Sequence, residues 1–134
     1  MDARTLNDLV GKPFFDGGRG PGAFDCWGLT MQAMRLYGYE LPECPISAFD
    51  SVLIDIEITI QKRQWKELPA PVAGCVAVMR FGCSDYVNHV ATCIGDGLML
   101  HTREKTGSVV ERIDKPVFKS LIQGFYLPPE EYKI

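Results

Sequence analysis

Long apolar runs are missing from this sequence. The longest, around Val52–Ile60 and Val76–Met79, fall far short of the roughly 20 residues that a bilayer-spanning helix needs, so a soluble chain with no membrane partner is expected. Basic clusters are missing as well. The 14 Lys and Arg are outnumbered by 17 Asp and Glu, giving a formal charge of -3, and nothing here could displace counterions from a phosphate backbone. Nucleic acid is therefore excluded as a partner. Met1-Asp-Ala-Arg-Thr-Leu6 has neither the basic start nor the apolar core of a secretory leader, so no export route is expected from the chain itself. No C-x-x-C pair occurs among the five cysteines at 26, 44, 75, 83 and 93. An odd number without that spacing fits neither a disulfide framework nor a common zinc site, and reduced thiols follow.

What the chain does have is apolar material for one core. Hydrophobic residues make up 46% of 134 positions, the composition of a single domain spanning 1–134. Residues 11–25 hold five glycines and two prolines and read as an extended loop. A helix follows over Cys26–Tyr37: Trp27, Thr30, Met31, Met34 and Tyr37 recur at three-four spacing, Asp25 stands as N-cap and Gly38 just past the end. The stretch from Val52 to Ile60 is ambiguous. Its apolar residues alternate as in a strand, yet Val52, Leu53, Ile56 and Ile60 also share one helical face, and period alone leans to strand. From there the sequence predicts short strands at Trp65–Leu68, Cys75–Arg80, His89–Ile94, Leu98–Thr102, Val109–Ile113 and Gly124–Leu127, with a frayed tail from Pro128. One helix followed by a run of strands implies an α+β fold with an antiparallel sheet.

Only one cysteine has a setting that suggests chemistry. Cys75 and Cys93 sit in apolar runs and read as core residues, and Cys44 and Cys83 lie in turn-like surroundings. Cys26 opens a helix, where unpaired N–H groups and the helix dipole favour the thiolate, so an active Cys26 is expected to alkylate well below about pH 8. The alternative is a buried cysteine packing the helix start. Both histidines fall in one hairpin-like segment, His89 to His101. A three-residue loop at Gly95-Asp96-Gly97 sets Ile94 opposite Leu98 and Ala91 opposite His101. His89 and His101 then lie on one face as diagonal neighbours, roughly 7–8 Å apart. A two-residue loop would slip the register and part the rings. Two such rings suit a metal site, a satisfied core pair, or a general base with the group that orients it. Metal lacks a third and fourth ligand at suitable spacing. Cysteine catalysis uses the third arrangement, one ring taking the thiol proton and the other fixing its tautomer.

Phe24-Asp25-Cys26-Trp27-Gly28-Leu29, behind a glycine-rich loop and ahead of His89-Val-Ala and Ile94-Gly-Asp-Gly97 up to His101, resembles the NlpC/P60 cysteine peptidases from about Lys12 to His101. The resemblance implies a papain-like fold in which an N-terminal helix carrying the cysteine packs on an antiparallel sheet, with a second helix near residues 50–62. It implies Cys26 as nucleophile, His89 as base and His101 as third member, with no cofactor and no metal. The implied substrate is an amide bond of peptidoglycan stem peptides, commonly D-γ-glutamyl to diaminopimelate. Phe14 stands where the family often has a tyrosine, removing a hydroxyl that would serve oxyanion stabilisation or substrate placement. Asp25 and Trp27 join Phe14 as candidate substrate contacts, with Asp25 equally suited to N-capping. Trp27 is typical of the phage and prophage tail branch, which implies phage tail proteins as partners and a virion tail, or the cytoplasm of a host carrying a prophage, as the location. Two rivals remain: a structural tail-tip protein that keeps the fold but cuts nothing, and a thiol amidase or acyltransferase acting on a non-wall substrate.

Overall fold

A computed structural model describes residues 5–134; the first four residues, within the stretch that sets the expectation about export, lie outside them. Helix α1 (Cys26–Leu36) forms where the sequence predicts it. Asp25 is extended and its side chain accepts a hydrogen bond from Gly28 N–H, satisfying a donor that the first turn leaves unpaired. The buried stripe is Cys26, Leu29, Thr30, Ala33 and Met34, one residue round from the spacing read in the sequence, with Trp27 and Met31 only partly covered.

Residues 51–61 are helix α2 (Ser51–Gln61), as the family resemblance implies, and not the strand that alternation suggests. The reason is local: Asp50 accepts from Leu53 N–H at 3.1 Å and caps the helix. An alternating run of branched apolar residues puts some of them on every face of a helix, and α2 accordingly has no buried residue. Six strands follow: β1 (Lys66–Leu68), β2 (Cys75–Met79), β3 (His89–Gly95), β4 (Leu98–Arg103), β5 (Gly107–Arg112) and β6 (Ile122–Leu127). A third helix, α3 (Pro116–Leu121), was not foreseen; at six residues it is too short to show a period, and Pro at its start is its one sequence signal. The predicted tail is also corrected. Glu40 N–H donates to Tyr132 C=O at 2.7 Å and Ile134 N–H to Gly38 C=O at 2.9 Å, and Tyr132 meets the Trp65 ring edge-on, so the chain end is pinned rather than frayed.

All six strands pair antiparallel in the order β1-β6-β2-β3-β4-β5. Alternation divides their side chains between two layers. On one face Val76, Val78, Val90 and Tyr126 pack under α1. On the other, Ala77, Met79, Ala91 and Met99 pack with Phe118 of α3. The α+β class and the cysteine helix lying on an antiparallel sheet match the expectation.

The β3–β4 hairpin reaches the predicted register by a different route. Its turn holds two residues, Asp96 and Gly97, both at positive φ, and Gly95 pairs with Leu98. A bulge between Cys93 and Gly95 then takes up the extra residue, so that Thr92 pairs with Leu100 and, one step further, Ala91 stands opposite His101. The bulge does what a three-residue loop would have done.

Loop 11–25 fits closely against the helix it feeds. A Cβ built on Gly28 would lie 2.0 Å from the Gly18 carbonyl oxygen, a backbone atom that cannot move aside alone. Gly28→Ala is expected to destabilise the fold by about 1–3 kcal/mol, measured as a lower urea midpoint at unchanged m-value.

Candidate active site

Three strands in succession supply a line of polar side chains. His89 is the first residue of β3, and its Nε2 lies 2.9 Å from Nδ1 of His101 on β4. His101 Nε2 in turn lies 2.5 Å from Oε2 of Glu111 on β5. Both contacts are diagonals. Ala91 stands opposite His101, placing His89 two residues along, and His101 pairs with Val109, placing Glu111 two residues along on the same face. A carboxylate can only accept, so His101 Nε2 carries the hydrogen and donates to Glu111. With His101 neutral, its Nδ1 is a bare acceptor and receives the Nε2–H of His89. The nitrogen left unprotonated is His89 Nδ1. Glu111 thus fixes the tautomer of both rings.

Glu111 is the residue that the sequence reading missed. It lies inside a strand that was foreseen, and the diagonal rule that joined the two histidines applies again one strand over once the β4–β5 register is known. Arg103 and Lys115 also approach Glu111, at 3.7 and 3.5 Å. Phe81 covers the pair from outside, its ring 5.0 Å from His89 and 6.3 Å from His101, with Arg103 above it. Asn88 brackets Phe81 through two hydrogen bonds, accepting from its N–H at 2.7 Å and donating to its carbonyl at 2.9 Å.

Cys26 arrives from the other side of the sheet. The histidines project towards the α3 layer, whereas α1 lies on the opposite face, and the two meet at the start of β3, where Cys26 and His89 line one cleft. The backbone N–H groups of Val90, Trp27 and Cys26 itself are directed at the sulfur. Among the described residues no side-chain hydrogen bond joins that sulfur to the His89 ring.

The ionisation of the group corrects one expectation. Burial pushes the Cys26 thiol up to about 12, the Asp25 carboxylate adds to the shift, and the three N–H groups offset only part of it. The helix start does not by itself produce a thiolate. His89 lies well below its usual value because burial, then the charges of His101 and Arg103, disfavour the imidazolium. His101 is lowered by burial against the opposing pull of Glu111. These shifts all favour the uncharged forms, a thiol at Cys26 and neutral rings at His89 and His101.

Asp25 and Phe14 lie outside the cleft lining, whereas Trp27 is part of it. Asp25 is 1% exposed, and both its oxygens are engaged: Oδ1 accepts from Gly28 N–H at 2.7 Å and from Arg19 at 2.7 Å, Oδ2 from Gly17 N–H at 3.0 Å. Its place is that of an N-cap and loop anchor. Phe14 is half-buried, with its ring 5.9 Å from that of Phe49. The Trp27 indole donates to the Pro42 carbonyl at 3.1 Å, holding the loop that forms one wall of the cleft. Cys75 and Cys93 are buried directly opposite each other on β2 and β3, as core residues should be.

Comparison with known proteins agrees with this architecture. No curated protein sequence matches the chain. Among solved structures, a lipoprotein-like NLP/P60 family protein of Staphylococcus aureus superposes with a TM-score of 0.64 at 20% identity, covering 91% of this chain and 38% of that one. NlpC2 of Trichomonas vaginalis gives 0.66 at 14% identity, over 90% and 43%. An NlpC/P60 family protein of Bacillus cereus gives 0.63 at 23% identity, over 92% and 41%. The chain spans about two-fifths of the length of these proteins, and at such identities the likeness concerns the fold. The model of the NlpC/P60 family matches residues 11–126, from the glycine-rich loop through the last strand, and the chain belongs to that family.

Proposed function

We propose that the protein is a cysteine peptidase or amidase that hydrolyses an amide bond of peptidoglycan stem peptides, with Cys26 as nucleophile, His89 as general base and His101 as the group that orients it. The observation that carries this reading is the hydrogen-bonded line from Glu111 through His101 to His89, which leaves one nitrogen bare on a ring that lines the same cleft as Cys26. Membership of a family whose members are generally cysteine peptidases and amidases acting on peptidoglycan supports the substrate class.

The neutral resting state sets the order of events. His89 Nδ1 takes the thiol proton as the sulfur bonds to the substrate carbonyl carbon, since a free thiolate is costly at this buried position. The same proton passes to the leaving nitrogen as the C–N bond breaks, giving a thioester. Water then attacks, with His89 taking its proton and returning one to the sulfur. Backbone N–H groups at the helix start are suited to the carbonyl oxygen as negative charge develops on it. His101 becomes a better acceptor because Glu111 holds its other side. The Phe-Asp-Cys-Trp-Gly-Leu segment supports a place on a phage tail, with tail proteins as partners and the virion as the carrier to the wall.

Cys26→Ala should abolish release of peptide fragments from purified peptidoglycan, read by mass spectrometry, while leaving the thermal melt intact; fragments that persist in the variant would overturn the reading. Glu111→Ala should lower kcat roughly 10- to 100-fold with less effect on KM, as loss of an outer hydrogen-bond partner does at other sites, and Glu111→Asp should recover part of it. Iodoacetamide should label Cys26 slowly near neutrality, with a rate still climbing above about pH 9, where free cysteine has levelled off.

Both imidazoles also make stability depend on pH. Their folded values are depressed, so below about 6.5 the unfolded chain takes up protons that the folded chain refuses, and stability is lost as pH falls through that window. The melting temperature should drop between about pH 7 and pH 5, and His101→Asn should flatten that slope.

A further inference from the structure

We propose that Glu57 sets the specificity of the cleft beside Cys26 by taking a primary ammonium on the side chain of a substrate residue that flanks the scissile amide. The proposal rests on the hydrolase reading above and names what that site selects. Glu57 of α2 lines the cleft together with Cys26 and His89, and most of the remaining wall is apolar, with Trp27, Ile54, Val76 and Tyr126 in it. Two carboxylates reach this lining, and they differ in their partners. Glu43 is held by Arg19, whose guanidinium lies 2.7 Å from it. Glu57 has an amide instead, accepting at Oε1 from Gln61 at 2.9 Å, and no Lys, Arg or His pairs with it among the described residues. Lys62 also lines the cleft, but it stands five residues further along the chain, whereas side chains on a helix meet at three and four. The charge that Glu57 brings into the cleft is therefore left without a counter-ion.

That charge is felt on another wall of the cleft. Cys44, also in the lining, has its thiol pushed up by burial and then by the Glu57 carboxylate. Apolar walls leave little water to screen such a field, so a cation entering the cleft is drawn to Glu57 and an anion is turned away. The type of cation follows from the hydrogen bonds. Gln61 occupies Oε1 and leaves Oε2 as the open acceptor. One open oxygen suits the compact point charge of an ammonium, whereas a guanidinium is matched best by a carboxylate that offers both. Glu57 is half-buried, so an ammonium bound there keeps part of its water and escapes most of the penalty of a buried ion pair. The apolar wall completes the fit, since the hydrocarbon stem of a lysine-like side chain lies along it while the charged end stays at Glu57.

The test uses Cys26→Ala protein, in which nothing turns over, and calorimetric titration with N-acetyl-L-alanyl-γ-D-glutamyl-L-lysine, its ε-acetyl-lysine and norleucine counterparts, and the norleucine peptide with a free N-terminus. The lysine peptide should bind at least about fivefold more tightly than the ε-acetyl-lysine and norleucine peptides, the upper end of what a partly exposed ion pair gives. Added salt should shrink that advantage. Glu57→Gln, which retains an acceptor for Gln61, should erase it, and Glu57→Lys should drop the lysine peptide below the norleucine one, with thermal melts confirming that both variants fold. Equal binding of the lysine and norleucine peptides, a preference that survives Glu57→Gln, or no measurable binding of the lysine peptide overturns the proposal. A free N-terminus that binds as well as the lysine side chain overturns it too, since the ammonium then comes from the chain end. A Glu57-dependent lysine preference, in a protein whose wild type releases no fragments from peptidoglycan, keeps the ammonium site and removes the hydrolase reading. Fragments without that preference do the reverse.

Discussion

One carboxylate determines where Cys26 stands. Asp25 is sealed from solvent, and its two oxygens hold the first turn of α1, the turn of the preceding loop at Gly17, and the Arg19 guanidinium. Arg19 in turn grips Glu43 and the Cys44 carbonyl, so the wall of the cleft is tied to the same point. Cys26 follows Asp25 directly, and its position is inherited from that anchor. A carboxylate this deeply buried is stable only because each lone pair direction that matters is met by a donor. The glycines at 18 and 28 belong to the same device, since any side chain at 28 would push the loop carbonyl away from the helix.

The anchor has an electrostatic cost at the neighbouring atom. Its negative charge and the exclusion of water both disfavour a thiolate on Cys26, and the same exclusion disfavours imidazolium on His89. The Glu111–His101–His89 line assigns each ring hydrogen to a definite nitrogen. Phe81, held by Asn88, keeps water from the outer side of the rings and preserves the low polarity that makes the line effective.

Much of this was legible from the sequence because α1 and the β3–β4 hairpin are written in local rules. An N-cap, a three-four spacing and a glycine stop define the helix, and alternation defines the two strands. The hairpin register came out as read although the turn did not, since bulge and three-residue loop are two ways of absorbing one residue. Helix α2 was legible through the family resemblance but not through period, because a row of alternating isoleucines satisfies both periods and the Asp50 cap separates them. Glu111 resisted for a different reason. Nothing near it in the chain marks it, and its partner is reached only through the pairing of β4 with β5. The pinned tail is likewise a product of tertiary contacts, Tyr132 on Trp65 above all.

The order of these parts along the chain matters during synthesis. Cys26 leaves the ribosome first, but the strands bearing His89, His101 and Glu111 emerge much later. Until β3, β4 and β5 have paired, the sulfur is an ordinary cysteine with no imidazole beside it. A polypeptide built this way has no Glu111–His101–His89 line while it is still being made, and the last strands to pair complete it.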